Sequence, residues 1–589
     1  MRVNLSGSHR SVSVRALGLC MTTALLLLSC APAGPGAGSA QQSGGTNSST
    51  SPSAPKTLRM AMQGSNEQDS PALFGRSGSG SAAQEHFFIF HANLTALDAA
   101  GEIVPRMAEK IPTIDDGDWK VLPDGGMEVT WKLRPNIMWH DGTPLSAEDF
   151  VFGFQVASDP ELPVEQLGQI PNIAQVRAAD AGTLVMTWKT RSAFGNQNNF
   201  DGVPALPRHI LESLYHSGDK ASFENAPFWK EGWVGLGPYR LTRWVLGSHM
   251  EAQAFDQYFL GRPKVDRIII RYVGDVNAVV ANVLAGEVDI IPAGAQMDIG
   301  QMVVLRQQWE PTGAGSTMFN VKSVRTLYLQ FRDQTAPWVQ DRRARQAVVH
   351  SLNRDEMVET LLYGLTQRAD YYVPPDSAVF QLAEQRGLPK YPFDPARAER
   401  LLNDAGWTRG ADRVFRNSAG QPFHIDVTVD GQGDNLKEAE TIAGQWSAAG
   451  FQSKAAPYPA GISTQDGRQI RHSIQGVMLW PWNFGVADPR IASTVEIGND
   501  RNRWNGGNYG GYSNASYDVM WEQLSDELDA AKRREVHFQM VKHIAEEIPV
   551  IPLFYRVTGT VVDKSLTGPG RTAPLQASSS WNIHTWELK

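Results

Sequence analysis

Trp480, Trp482 and Phe484 recur at a spacing of two, with Asn483 between the last two rings. Flat apolar faces beside one amide suit stacking on a sugar ring, gripping an apolar side chain, or lining an extended peptide. The same alternation would also serve a strand whose rings fill a core. Groups that could make or break bonds are scarcer. His537 and His543 lie six apart, which on a helix turns them more than a right angle from each other. They read as solvated histidines rather than metal ligands. Asp115-Asp116-Gly117-Asp118 has the composition of a turn before that of a catalytic carboxylate pair. Gly78-Ser79-Gly80-Ser81 reads as a loop, not a phosphate cradle. No Gly-x-x-x-x-Gly-Lys-Ser/Thr, His-Glu-x-x-His or Gly-x-Ser-x-Gly occurs. The chain is therefore expected to be no enzyme, with no catalytic residue, metal site or cofactor. A glycosidase pair drawn from distant positions is the one enzymatic alternative that spacing leaves open.

The bulk chemistry agrees with a binding protein. The 589 residues carry 54 Lys+Arg against 62 Asp+Glu, a net charge of −8. Such an acidic surface is a poor partner for nucleic acid, whose binding depends on neutralising phosphates. Hydrophobic residues make up 42% and charged residues 20%, enough for large cores in several domains or one multi-lobed fold. A disordered, collagen-like or polytopic membrane chain is excluded.

The elements that must position these residues alternate between strand and helix. Met127, Val129, Trp131 and Leu133 interleave with Glu128, Thr130, Lys132 and Arg134, the period of a half-buried strand. Leu184, Met186 and Trp188 repeat the pattern, as do Phe423, Ile425, Val427 and Val429. Ile268-Ile269-Ile270 suits a buried strand. Ser146-Ala147-Glu148-Asp149 and Asn353-Arg354-Asp355-Glu356 open helices with a cap and an acid at the third position. Asp394-Pro395 opens another, which Gly406 ends. A strand at 423–429, a helix at 435–449 and an apolar restart at Phe451 make a βαβ unit. The fold class is α/β.

The N-terminus is a targeting device. Residues 1–29 hold Arg2, Arg10 and Arg15, no acid, and an apolar run too short for a comfortable membrane span. The run closes Leu27-Leu28-Ser29-Cys30, a lipobox-like ending that would make Cys30 the lipidated first residue. Cys20 leaves with the signal, so no disulfide or cysteine-ligated metal is available to the body. Residues 30–56 are rich in Gly, Pro, Ala and Ser and read as a disordered tether, about 25–30 Å long as a flexible coil. The body is then extracytoplasmic, periplasmic or at the cell surface, held to the membrane through its lipid.

Met127 to Pro135, continuing through Trp139-His140-Asp141-Gly142-Thr143-Pro144-Leu145-Ser146-Ala147-Glu148-Asp149-Phe150, resembles the signature of the family 5 extracellular solute-binding proteins. Gly235-Leu236-Gly237-Pro238-Tyr239 resembles that family's Gly-x-Gly-Pro-Tyr strand entry. Leu284-Ala285-Gly286-Glu287-Val288-Asp289, Asp341-Arg342-Arg343-Ala344-Arg345-Gln346-Ala347 and Tyr391 to Trp407 are similar to later family segments in the family's order. The resemblance spans about 57–589.

The resemblance implies a type II periplasmic-binding-protein-like fold: two lobes around a ligand cleft, with an extra subdomain on lobe I. Lobe I would comprise 57–95, 230–325 and 546–589, the subdomain 96–229, and lobe II 326–545. It implies a substrate-binding receptor of an ABC importer that captures a solute by hinge closure and delivers it to a permease driven by ATPase subunits. A monomer is expected. Peptides lead as ligand, with carbohydrate as the alternative and metal chelates and opines behind. A sensory or pheromone receptor on the same fold is the alternative of another class. Peptide-binding relatives carry an Asp three residues after the Trp that Trp482 matches; here that position is Gly485, and an Arg common upstream is Leu479. The pair that would hold a peptide's amino end is missing. Ligand contacts are expected from Trp480, Trp482, Asn483 and Phe484, from Trp504, Asn505 and Tyr509 in a Gly-rich loop, and from Ser65, Asn66 and Glu67 after the first strand.

Overall fold

The computed structural model describes residues 54–64, 67, 81–99, 101–162, 170–295, 297–431, 433–458, 464–483, 488–502, 504–570 and 578–589. The signal segment 1–29, Cys30 and the tether lie outside them, apart from 54–56, as does the loop at Gly78-Ser79-Gly80. Pro55–Lys589 is one compact unit.

Its organising element is a ten-stranded sheet. In order across the sheet the strands are Ala455–Tyr458, Val427–Asp430, Val477–Asn483, Gly315–Leu329, Val550–Asp563, Ile290–Ile291, Thr57–Gln63, Arg267–Val273, His249–Ala254 and Tyr239–Val245. Thr57–Gln63 runs parallel to Arg267–Val273, and Val427–Asp430 runs parallel to both of its neighbours. The helix Gly433–Ala449 and strand Ala455–Tyr458 complete the expected βαβ unit. Its first strand is shorter than the alternation predicts. Phe423 and Ile425 are buried, but regular pairing begins only at Val427, with a lone bridge from His424 to Gln452 before it. The apolar spacing followed burial, which an extended segment satisfies without a full ladder.

Two sets of cores sit on this one sheet. Leu58, Met60, Ile268, Ile270, Ile290 and Val561 belong to the first, lobe I. Leu327, Val427, Leu479 and Phe554 belong to one core of lobe II, and Val324, Tyr328, Met478 and Tyr555 to another. Among the described residues, the strands that feed both lobes are the paired Gly315–Leu329 and Val550–Asp563. Their middle residues, 320–323 and 556–559, lie between the cores and form the crossing. The subdomain sheet is separate: Trp119–Val121, Met127–Lys132, Thr183–Trp188 and Ile173–Asp180 in that order. Met127, Val129 and Trp131 all point inward, as their period requires. Among the described residues no helix is long and apolar enough to cross a membrane.

Candidate ligand site

The motif residues with the most reactive side chains brace the fold. His140 accepts from the Gly235 amide at Nδ1 (3.1 Å) and donates from Nε2 to the Gly237 carbonyl (3.0 Å). It is buried, and loss of water pushes its pKa down to about 4, so the ring is neutral. Gly235 and Gly237 pass so close to the end of helix Ser81–Phe90 that a Cβ at Gly235 would lie 2.0 Å from the Phe90 carbonyl oxygen. Only glycine fits there. Asp149 closes the capping box of helix Ala147–Ala157 with Ser146 and takes the Arg208 amide. Asp289 grips Arg59, accepting from its backbone at 2.7 Å and its guanidinium at 2.5 Å. Asp341 caps helix Arg342–His350. Asp116 and Asp118 pair with Lys110 at 2.7 Å in a surface turn.

Both late histidines are packed, not solvated as their spacing had suggested. His537 Nε2 is buried without a hydrogen-bond partner among the described residues and its ring lies 6.3 Å from Tyr372, while His543 Nε2 meets the Tyr512 hydroxyl at 3.0 Å. Helix Ala530–Glu547 presents more than one face to neighbours, so a spacing of six does not place either ring in water.

The aromatic residues do come together, on lobe II. Strand Val477–Asn483 pairs antiparallel to Gly315–Leu329, with Trp480 opposite Thr326 and Trp482 opposite Val324. Trp480 is half-buried, its ring centre 6.2 Å from Tyr509, edge to face. Tyr509 in turn meets Tyr328 at 5.0 Å and His472 at 4.9 Å. Trp504 joins the edge of this cluster, 6.3 Å from His472. Its backbone is left-handed (φ 59°) and its indole N–H donates to Asp500 at 2.9 Å. Asn505 is exposed on the same loop. Trp482 is different: only 6% exposed, it sits in a lobe II core beneath Gly507, where a Cβ would lie 2.6 Å from its ring. Its buried indole N–H has no acceptor among the described residues.

Cations that sequence patterns did not single out line the same wall. Arg471 lies over Trp480 at 4.4 Å and near Tyr509 at 5.8 Å; Arg332 lies 5.8 Å from Trp504 and Arg490 5.5 Å from Trp482. Arg471 Nε and Arg332 Nη1 are buried donors without acceptors among the described residues. Arg471 comes from helix Thr464–Ser473, nine residues before Trp480, a separation with no periodic signature. Leu479 is buried against Leu327 and carries no charge into the site. The side chain of Asn483, and Phe484 and Gly485 altogether, lie outside the described residues.

On lobe I, Ser65 and Asn66 also lie outside the described residues. Glu67 is committed within its own lobe, accepting from the Trp244 indole at 2.7 Å and the Gly247 amide at 2.8 Å. The lobes meet elsewhere. Asp298 caps helix Ile299–Gln308 of lobe I, and its carboxyl hydrogen-bonds that of Asp434 at the start of lobe II helix Gly433–Ala449. Partial loss of water, then the hydrogen bond to Asp298 and its charge, raise the Asp434 pKa to about 6. Beside them the Tyr363 hydroxyl lies 2.9 Å from where a Cβ on Gly300 would stand. Among the described residues no group of three or more His, Cys, Asp or Glu could hold a metal ion.

The description "Bacterial extracellular solute-binding proteins, family 5 Middle" matches residues 102–494. The oligopeptide-binding protein AppA of Bacillus subtilis is 22% identical over 573 residues, 95% of this chain and 96% of that protein. An oligopeptide-binding protein from Thermus thermophilus, solved with a pentapeptide, superposes with a TM-score of 0.72 at 20% identity, covering 90% of this chain and 96% of that one. NikZ from Campylobacter jejuni, solved with Ni(L-His), gives 0.71 at 20% identity, covering 91% and 100%.

Proposed function

Because this chain belongs to the bacterial extracellular solute-binding proteins of family 5, we propose that it is the solute receptor of an ABC importer and that its ligand is an oligopeptide. The observation that carries the reading is the crossing. Two lobes with separate cores are joined, among the described strands, by one pair, so they can rotate about residues 320–323 and 556–559 with each core kept. A solute that contacts both lobes shifts the population toward the closed form. That form docks on a permease, and the ATP is spent on the far side of the membrane.

Lobe II supplies an aromatic and cationic wall: Trp480, Tyr509, Trp504 and Asn505, with Arg471 and Arg332. Trp482 supports that wall from the core, and Asn483 and Phe484 are proposed as further ligand contacts. Ser65, Asn66 and Glu67 are proposed as the ligand contacts of lobe I. With Gly485 where an acid would anchor an amino terminus, the wall suits the carbonyls and side chains of a longer peptide rather than a free ammonium. The peptide-binding relatives of similar length support this ligand. A carbohydrate is the second reading, favoured by the half-buried Trp480 and Tyr509 rings. Cys30 carries a lipid that holds the monomer at the outer face of the membrane, and residues 31–56 give it reach.

Mass spectrometry of the small molecules released on denaturing the natively purified protein tests the ligand. Co-purified peptides are expected; sugars would move the assignment to the second reading.

A further inference from the structure

The crossing strands lose register at one place. Val321 pairs with Val557 and Ser323 with Arg556, so Lys322 is the extra residue of a β-bulge. The bulge sets Lys322 beside Arg556 on the neighbouring strand, between the two lobes. Both side chains are half-buried, and among the described residues neither makes a hydrogen bond or an ion pair. Asn320, two residues back and paired with Thr558, is buried, and its Nδ2 donor has no acceptor among the described residues. By register these two cations and this amide donor are neighbours on the crossing strands, and among the described residues no carboxylate pairs with either cation.

The nearby charges do not supply one. Glu85 is buried on helix Ser81–Phe90, and its carboxylate already accepts from the Gly294, Ser579 and Ser580 amides and the Ser578 hydroxyl. Arg325, further along the strand, is paired with Glu438 and donates to Asn435 at 2.6 Å. The Lys322 ammonium is pushed down to about 7, first by burial and then by Arg556, with Glu85 pulling weakly the other way.

We propose that Lys322, Arg556 and Asn320 bind a carboxylate of the captured solute at the floor of the cleft. The site rests on the receptor reading above and narrows its ligand to an acid, in a peptide its carboxyl end or an acidic side chain. A planar carboxylate can take two parallel N–H bonds from Arg556, the Lys322 charge and the Asn320 amide together. Its position on the crossing strands lets one bound group restrain both lobes.

Calorimetric titration of the purified full-length protein tests the site. The probes are oligopeptides as free acids and as carboxyl-terminal amides, with uronic-acid oligosaccharides and their neutral counterparts beside them. Acids are expected to bind at least about tenfold more tightly than their amides or neutral twins. Lys322→Met and Arg556→Met should remove that preference while melting at the same temperature or higher, because each deletes an unpaired, half-buried charge. Binding of an acid at pH 8 should also draw in close to one proton from the buffer. If acids and amides bind the wild type alike, the carboxylate site is overturned and the receptor reading stands. If Lys322→Met keeps the preference, the site is likewise overturned. If no probe of either class binds, both fall.

Discussion

Arg471 places its guanidinium 4.4 Å from the centre of the Trp480 ring, while 5.5 Å separates Arg490 from Trp482 two residues on. The two tryptophans look equivalent in sequence, yet they do different work. Trp480 is half-buried at the wall and Trp482 lies 6% exposed in the core. Trp482→Ala should therefore cost about 3–5 kcal/mol of folding stability, the usual range for a buried Trp deletion. Trp480→Ala should fold nearly as well and lose about tenfold in affinity, or ~1.4 kcal/mol. Denaturant titration and calorimetry of both variants check this. Unchanged affinity in a folded Trp480→Ala protein would remove the ring from the site.

Acid should loosen the fold through its buried histidines. His86 and His140 are pushed down to about 4 and His91 to about 3, chiefly by burial. An unfolded histidine titrates near 6.5. Between those values the unfolded chain takes up protons that the folded chain refuses, so stability falls as the pH falls from 6.5 toward 4. At the low end the loss is on the order of 3 kcal/mol for each of His86 and His140. Melting curves from pH 7 to 4 measure it, and His140→Gln should flatten part of the slope.

The contact between lobes should respond to pH in a separate window. Asp434 holds its proton up to about pH 6 while it hydrogen-bonds Asp298 across the lobes. Opening removes that neighbour and lets the pKa drop toward the usual carboxylate value. Protonation therefore favours the contact, which is strongest below about pH 4, weakens as the pH rises from there, and is lost above about pH 6. Small-angle scattering of the unliganded protein should report a smaller radius of gyration at pH 5 than at pH 8. Asp434→Asn should hold the smaller value at both.

Gly235→Ala should be costly out of proportion to one methyl group. Its Cβ would lie 2.0 Å from the Phe90 carbonyl oxygen, which is backbone and cannot turn aside. Overpacking of this kind costs about 1–3 kcal/mol or more. Ala at exposed Gly444, within helix Gly433–Ala449, meets nothing within 4 Å and should be neutral or stabilising.

Local chemistry made much of the fold legible. The capping box of Ser146 and Asp149, the Asn353 cap, the Asp-Pro helix start at 394–395 and the alternation of 127–132 each depend on near neighbours, and each formed as its residues dictate. The family resemblance pointed to lobes and cleft because motif order carries topology. The site was less legible. Trp482 and Trp480 share a pattern, and only the close approach of Gly507 puts one of them in the core. Arg471, Arg332 and Lys322 have no periodic signature, since helix packing and a one-residue bulge bring them into place. His537 and His543 were misjudged because burial on helix Ala530–Glu547 depends on what packs around it.

The most direct test of the account is a thermal-shift titration of the purified protein against matched panels of oligopeptides and oligosaccharides. A ligand of the native state at 100 times its dissociation constant adds about 2.7 kcal/mol to stability. The account predicts a saturable rise in melting temperature with peptides and a smaller one, or none, with sugars. A protein whose melting temperature neither panel moves would contradict its role as a receptor for such solutes.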